Sequence, residues 1–80
     1  SIRTAREHVR VARALEELPV TTAAFSAGQL SYSKVRALTR MATPKTETDL
    51  VGVAIHGTAA HIDAIAAGYC RAKRNADPDQ

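Results

Sequence analysis

Apolar residues recur along most of this chain at intervals of three and four positions, the spacing that brings side chains to one face of an α-helix. Val11, Leu15 and Leu18 follow that spacing in the first segment, and prolines and glycines separate the segments from one another. The pattern predicts helices over residues 3–17, 19–27 and 32–41, a fourth from Thr43-Pro44 to Gly57, and a fifth over 59–73. We therefore expect an all-α fold, a compact bundle of about five short helices.

Each predicted helix has a set of apolar or small residues that we expect to face the core. The fourth is apolar nearly all round at residues 50–55, so we expect it to be the most buried element. A buried strand is the alternative for so short a run, but the chain offers no second strand to pair with it. In the other helices the expected core positions are Ala5, Val11, Ala12, Leu15 and Leu18, then Val20, Ala23, Ala24 and Ala27, then Val35, Leu38 and Ala42, and finally Ile62, Ile65, Ala66 and Tyr69.

Several residues carry signals for the ends of helices. Gly28 suits the left-handed conformation that often follows a helix, and Ser31 and Thr58 are side chains that cap helix N-termini. Thr43 followed by Pro44 predicts the start of the fourth helix, because proline is favoured at the first helical position.

Length and composition predict a single small soluble domain. We assign it to residues 1–74, followed by a polar, frayed tail at 75–80. The 45% of hydrophobic residues excludes an obligately disordered chain, and no run approaches the roughly 18 apolar residues of a membrane span. The charged start leads into no segment typical of a signal peptide, and the single cysteine, Cys70, fits a reducing compartment. We expect a cytoplasmic protein with no membrane partner.

The residues that could ligate a metal are His8, His56, His61 and Cys70. Zinc sites usually contain closely spaced ligand pairs on one element, whereas His56 and His61 lie on either side of Gly57 and share no helix face. We expect His8 on the apolar side of the first helix and Cys70 as a half-buried apolar side chain. The sequence therefore predicts no metal, no cofactor and no catalytic residue.

Basic residues are better organised than any of these groups. The net charge is only +3, from 11 lysines and arginines against 8 acidic residues, so their positions matter more than their sum. In the first helix, arginines recur at i, i+3, i+7 and i+10, within an arc of about 80°. Such a stripe can lie along a phosphate backbone, or it can be a solvated face partnered by Glu7 and Glu17.

The third helix carries a second polar face. Ser33, Arg36 and Arg40 share this face, with Lys34 offset from it. The turn at Gly28 followed by this helix has the outline of a helix-turn-helix corner, although Lys34 stands where a branched apolar residue is usual. DNA contact and a plain corner with a solvated basic face both remain open. The nucleic-acid-binding candidates are Arg36, Arg40, Ser33, Lys34, Arg3, Arg6, Arg10 and Arg13.

The order of motifs resembles a known family. The string from Gly28 to Arg40, GQLSYSKVRALTR, is the most specific part, and it is preceded by VARAL at 11–15 and followed by ATP at 42–44 and HGTAA at 56–60. Together these residues resemble the actinobacterial family called domain of unknown function 222, which includes the mycobacterial 13E12 repeat proteins. The resemblance extends over about residues 3–71.

The resemblance implies a helical N-terminal region of longer proteins, many of which carry an HNH nuclease domain near the C-terminus. That nuclease needs a metal-binding histidine, an asparagine and a general-base histidine on a ββα unit. Here the one asparagine is Asn75, and no β-hairpin is predicted. We therefore expect a non-enzymatic module that assists binding to double-stranded DNA. The alternative is a protein-interaction or self-association module, a homodimer, since a small alanine-rich bundle has a thin core.

Overall fold

The helices predicted from the periodicity are present in the computed structural model, which describes residues 1–76. This part of the chain forms five α-helices and contains no strand. The helices are α1 (Ile2–Leu15), α2 (Pro19–Ser26), α3 (Tyr32–Leu38), α4 (Glu47–His56) and α5 (Ala59–Ala76). The predicted all-α bundle of about five short helices is confirmed.

Local chemistry fixes several helix ends as expected. Gly28, just after α2, has a φ of +79°, which a glycine adopts without the steric cost of a Cβ atom. The Ser31 hydroxyl accepts a hydrogen bond from the backbone N–H of Lys34 at 3.3 Å, and the Thr58 hydroxyl accepts one from that of His61 at 3.0 Å. These hydroxyls satisfy N–H groups that have no partner within their own helices.

The start of α4 differs from the prediction. The helix begins at Glu47, and Thr43 belongs to the turn before it. The hydroxyls of Thr43 and Thr46 hydrogen-bond to each other at 3.1 Å, and the backbone N–H of Thr43 donates to the Thr46 hydroxyl at 2.9 Å. Thr43 is therefore engaged in closing a turn rather than in capping a helix.

Two other boundaries also shift. α3 ends at Leu38, three positions before the predicted end, where the backbone N–H groups of Arg40 and Met41 bond three residues back, to the carbonyls of Ala37 and Leu38 at 3.2 and 3.0 Å. α5 continues to Ala76, so Asn75 is helical rather than part of the predicted tail. The rest of that tail, 77–80, lies outside the described residues.

The centre of the bundle is α3, and not α4 as the sequence suggested. Val35, Ala37 and Leu38 are fully buried, and α3 packs against α2, α4 and α5. Residues 50–55 of α4 are apolar nearly all round, yet Val53 is 50% exposed, because α4 buries one face only. The buried apolar core comprises Val11, Ala24, Leu30, Val35, Ala37, Leu38, Met41, Val51, Ala54, Ile62 and Ala66.

The peripheral helices bury narrower faces than their sequences predict. In α2 the buried residues are Thr21 and Ala24, and in α1 the buried residue is Val11. A helix that packs along a single line covers only the residues nearest that line, so small residues beside it stay in solvent. The predicted core positions that are exposed are Ala5, Ala12, Val20, Ala23, Ala27, Ile65 and Tyr69.

A buried polar contact joins α2 to α4. Leu18, at the N-cap position of α2, has no side chain that can accept a hydrogen bond from the first turn. The carboxylate of Glu47 supplies the acceptor: its Oε2 receives the backbone N–H and the hydroxyl of Thr21, both at 2.9 Å. Glu47 and Thr21 are both buried. Glu47 of α4 therefore caps the N-terminus of α2, where the helix dipole favours a negative charge.

This cap makes a prediction for stability. Replacing Glu47 by glutamine removes the charge and should destabilise the fold by about 1–3 kcal/mol, since buried N–H and O–H donors lose their best acceptor. The check is urea denaturation followed by circular dichroism. Asp49→Asn is the matched control, because Asp49 lies in the same first turn but is exposed, and its effect should stay within about 0.5 kcal/mol. Equal stability of E47Q and the wild type would contradict the assignment.

Candidate nucleic-acid interface

Arginines from two helices meet at a crevice between α1 and α3. We call it the basic crevice; it has a volume of about 230 Å³. Its α1 side carries Arg3, and its α3 side carries Arg36 and Arg40, two candidates that the sequence placed on one face. The residues lining it are Arg3, Thr4, Glu7, His8, Tyr32, Arg36 and Arg40. Folding therefore combines part of the α1 stripe with the basic face of α3.

Glu7 lies at the centre of these arginines. Its Oε1 accepts hydrogen bonds from both Nε and Nη2 of Arg10, the former at 3.2 Å. The same oxygen lies 3.6 Å from Nη2 of Arg40. Arg10 in turn donates to the backbone carbonyl of Arg36 at 3.4 Å. Glu7 and Arg10 thus connect α1 to α3 through polar contacts.

More positive than negative side chains line the basic crevice. Three arginines line it, namely Arg3, Arg36 and Arg40, and they face one carboxylate, that of Glu7. The Nε of Arg36 is buried and has no hydrogen-bond partner among the described residues. The hydrogen bond from Arg10 has the largest effect on the pKa of the Glu7 carboxyl; together with the charges of Arg10 and Arg40 it lowers this pKa below its usual value and outweighs desolvation, which raises it. The crevice therefore carries more positive than negative charge, which suits an anion.

Aromatic contacts hold the start of α3 beside α1. The rings of His8 and Tyr32 meet edge to face, with centroids 5.3 Å apart and an interplanar angle of 84°. Phe25 of α2 lies 6.4 Å from the Tyr32 ring. His8 lies three residues before the buried Val11, on the expected apolar side of α1, where it is exposed and packs on Tyr32. No sequence pattern indicates this pair, because the two residues meet only through the tertiary fold.

The remaining candidates lie outside the crevice. Arg6 and Arg13 are exposed on α1, Ser33 is exposed on α3, and Lys34 is half-buried. On a helix with about 100° per residue, Arg6 and Arg13 point about 40–80° away from Arg3 and Arg10. The predicted stripe therefore divides in two, with one pair of arginines turned towards α3 and the other towards solvent.

The geometry also bears on the helix-turn-helix prediction. α2 and α3 are joined by a turn at 27–31, as that motif requires, but α3 has only seven residues and buries Val35, Ala37 and Leu38. Its outer side is partly covered by α1 through Glu7 and His8. A helix in this position offers phosphate-binding side chains at its edge rather than a free face for a DNA groove.

Two further surface features lie at α4 and α5. Asp49, His56 and His61 line one shallow groove, although Gly57 separates the two histidines in sequence. Within residues 1–76, however, no three histidine, cysteine, aspartate or glutamate side chains are arranged so that they could hold a metal ion.

Cys70 is half-buried with a free thiol. None of the described helices combines the length and apolar character needed to cross a membrane.

The second feature is an apolar groove between α4 and α5, with a volume of about 360 Å³. Ile65 and Tyr69 of α5 were expected in the core, but they line this groove and are 36% and 41% exposed. The apolar groove comprises Met41, Thr43, Thr46, Asp49, Leu50, Ile65 and Tyr69.

Comparison of the chain with protein-family models, with curated proteins and with solved structures found no match.

The lowered pKa of Glu7 makes stability depend on pH. A carboxyl group that binds its proton more weakly in the folded state stabilises the fold above its unfolded pKa, and this contribution is lost as the pH falls through the folded pKa. The thermal midpoint of the wild type should therefore fall relative to that of Glu7→Gln as the medium is acidified below the usual glutamate range. Parallel midpoints for the two proteins across the acid range would contradict the ion pair.

Proposed function

We propose that this protein is a non-catalytic helical module that binds duplex DNA through its backbone phosphates at the basic crevice. The observation that supports the proposal is the convergence around one cavity of Arg3 from α1, Arg36 from α3 and Arg40 from the turn after α3. Guanidinium groups bind phosphate oxygens through charge-assisted, often bidentate hydrogen bonds. Phosphate contacts of this kind supply most of the sequence-independent affinity for DNA.

Phosphate contact is favoured over reading of base edges or of single strands. α3 is short and its outer side is partly covered by α1, so it is poorly placed to enter the major groove. Aromatic residues make up only 4% of the chain, too few for a platform on which unpaired bases stack. The exposed acidic residues Glu16, Glu17 and Asp49 lie outside the crevice and disfavour phosphate contact at their own faces.

The resemblance to domain of unknown function 222 also supports this role. Longer members of that actinobacterial family carry an HNH nuclease domain, and a helical region beside a nuclease can serve to hold DNA without acting on it. The string from Gly28 to Arg40 that carries the resemblance includes Arg36 and Arg40. A cytoplasmic localisation, as expected from the lone cysteine, fits contact with bacterial DNA.

Charge reversal at the crevice tests the proposal. Arg36→Glu/Arg40→Glu should weaken binding to a short duplex at low salt by about 10-fold or more, because two phosphate contacts become repulsive. The slope of log affinity against log salt should fall by about 2. Fluorescence anisotropy over a salt series gives both quantities.

Arg71→Glu/Arg74→Glu is the control for overall charge, since both arginines are exposed near the end of α5, away from the basic crevice. It changes the net charge equally and should leave the salt slope close to that of the wild type. Arg3→Ala, a milder change at an exposed position, should weaken binding in the same direction as the crevice double variant. No binding by the wild type, or equal losses in the two double variants, would contradict the proposal.

Self-association is the second candidate function, and the apolar groove is the observation that favours it. A second copy of the chain would cover Ile65 and Tyr69, which are large apolar residues left in solvent by the fold. Sedimentation equilibrium at micromolar concentration should then show a dimer that Ile65→Asp converts to a monomer. Val53→Asp, at an exposed position outside the groove, should leave the dimer intact. A strictly monomeric wild type would exclude this function.

A further inference from the structure

The basic crevice already contains an anion that belongs to the chain. The Glu7 carboxylate reaches into it from α1, is held firmly by Arg10 of the same helix, and contacts Arg40 across the crevice. A carboxylate among arginines occupies the kind of position that a phosphate oxygen would take in a phosphate site. The two contacts of Glu7 are, however, of different quality.

The contact with Arg10 is local and the contact with Arg40 is loose. Arg10 lies three residues from Glu7 on the same helix and donates two hydrogen bonds to one carboxylate oxygen. The Arg40 guanidinium is 3.6 Å from that oxygen, beyond the usual length of a hydrogen bond, and its side chain is 47% exposed. The arginine across the crevice can therefore exchange Glu7 for another partner at little cost.

One carboxylate also leaves donors of the crevice unused. Glu7 contacts Arg10 and Arg40 through the same oxygen atom, and within residues 1–76 no ion pair joins it to Arg3 or Arg36, which also line the crevice. A phosphate group has more acceptor oxygens than a carboxylate, so it can contact more of the arginines that line the crevice.

We propose that the basic crevice binds one phosphate group and that Glu7 is a tethered anion that this phosphate displaces from Arg40. After the exchange, Arg10 still holds the Glu7 carboxylate against the surface of α1. Displacement therefore needs a change of side-chain rotamer and no movement of the helices. Glu7 is anionic at neutral pH, as a carboxyl beside arginines is, and it therefore competes with an incoming phosphate. The assignment of the phosphate to a DNA backbone rests on the proposed function, whereas the displacement of Glu7 from Arg40 does not.

Two roles for Glu7, support of the crevice and competition with the ligand, predict opposite effects of its neutralisation on binding. If Glu7 served mainly to hold α1 against α3, its neutralisation would loosen the crevice and weaken binding. If Glu7 competes with the ligand, its neutralisation releases Arg40 and strengthens binding. The sign of the change in affinity distinguishes the two roles.

The test compares Glu7→Gln with Glu17→Gln. Both remove one negative charge, but Glu17 is exposed beyond the end of α1 and does not line the crevice. E7Q should bind a short duplex about 2- to 5-fold more tightly than the wild type, the range expected for loss of one partly exposed ion pair. Its salt slope should stay close to that of the wild type, because the displacement of Glu7 leaves the same arginines on phosphate in both complexes. E17Q should keep both the affinity and the slope of the wild type, and circular dichroism should show both variants folded at the assay temperature.

Inorganic phosphate provides a second arm that separates the sources of the phosphate. Its binding is followed by the NMR shifts of the arginine Nε–H groups in the wild type and in E7Q. Tighter binding of E7Q to the duplex supports a DNA phosphate, and tighter binding to inorganic phosphate alone supports a free phosphate and counts against the proposed function. Unchanged or weaker binding by E7Q in both arms, or an equal gain for E17Q, would overturn the displacement of Glu7. Loss of duplex binding in the crevice arginine variants would still support the proposed function in that case.

Discussion

The buried carboxylate of Glu47 at the N-terminus of α2 is the contact on which the arrangement of the helices depends. A buried charge is costly unless donors surround it, and here the backbone N–H and the hydroxyl of Thr21 supply them. The contact fixes α2 against α4, which are also neighbours in packing. Because α2 ends at the Gly28 turn, its orientation sets the direction in which α3 starts, and hence where Arg36 and Arg40 lie.

α3 serves the core and the basic crevice at once. Val35 and Leu38 lie one turn apart on its buried side, Arg36 lies on its outer side, and Arg40 lies in the turn that follows it. A central position gives the arginines a rigid backbone, which suits a site that must hold several guanidinium groups together. The same closeness creates repulsion among them, which Glu7 reduces from the neighbouring helix.

Local features of the structure could be predicted from the sequence, and tertiary features could not. The caps at Ser31 and Thr58 and the turn at Gly28 depend on residues a few positions apart, so short-range patterns reveal them. The cap by Glu47 joins residues 26 positions apart, and the residues around Glu47 in the sequence do not indicate that Thr21 is its partner. Periodicity gives the apolar side of a helix but not how much of it a neighbour covers. The burial of α4 was therefore overestimated, and the stripe on α1 was predicted as one surface although folding divides it.

The weak anchoring of α1 has a consequence for the basic crevice. Within α1, Val11 is the one buried side chain, yet the helix contributes one wall of the crevice through Arg3 and Glu7. Elements with few buried contacts open more readily than the rest of a protein. Detachment of α1 would dismantle the crevice while α2 to α5 stayed folded, and any ligand that bridges the two walls would oppose that detachment. Occupancy of the crevice and the attachment of the first helix are therefore thermodynamically linked, and each reports on the other.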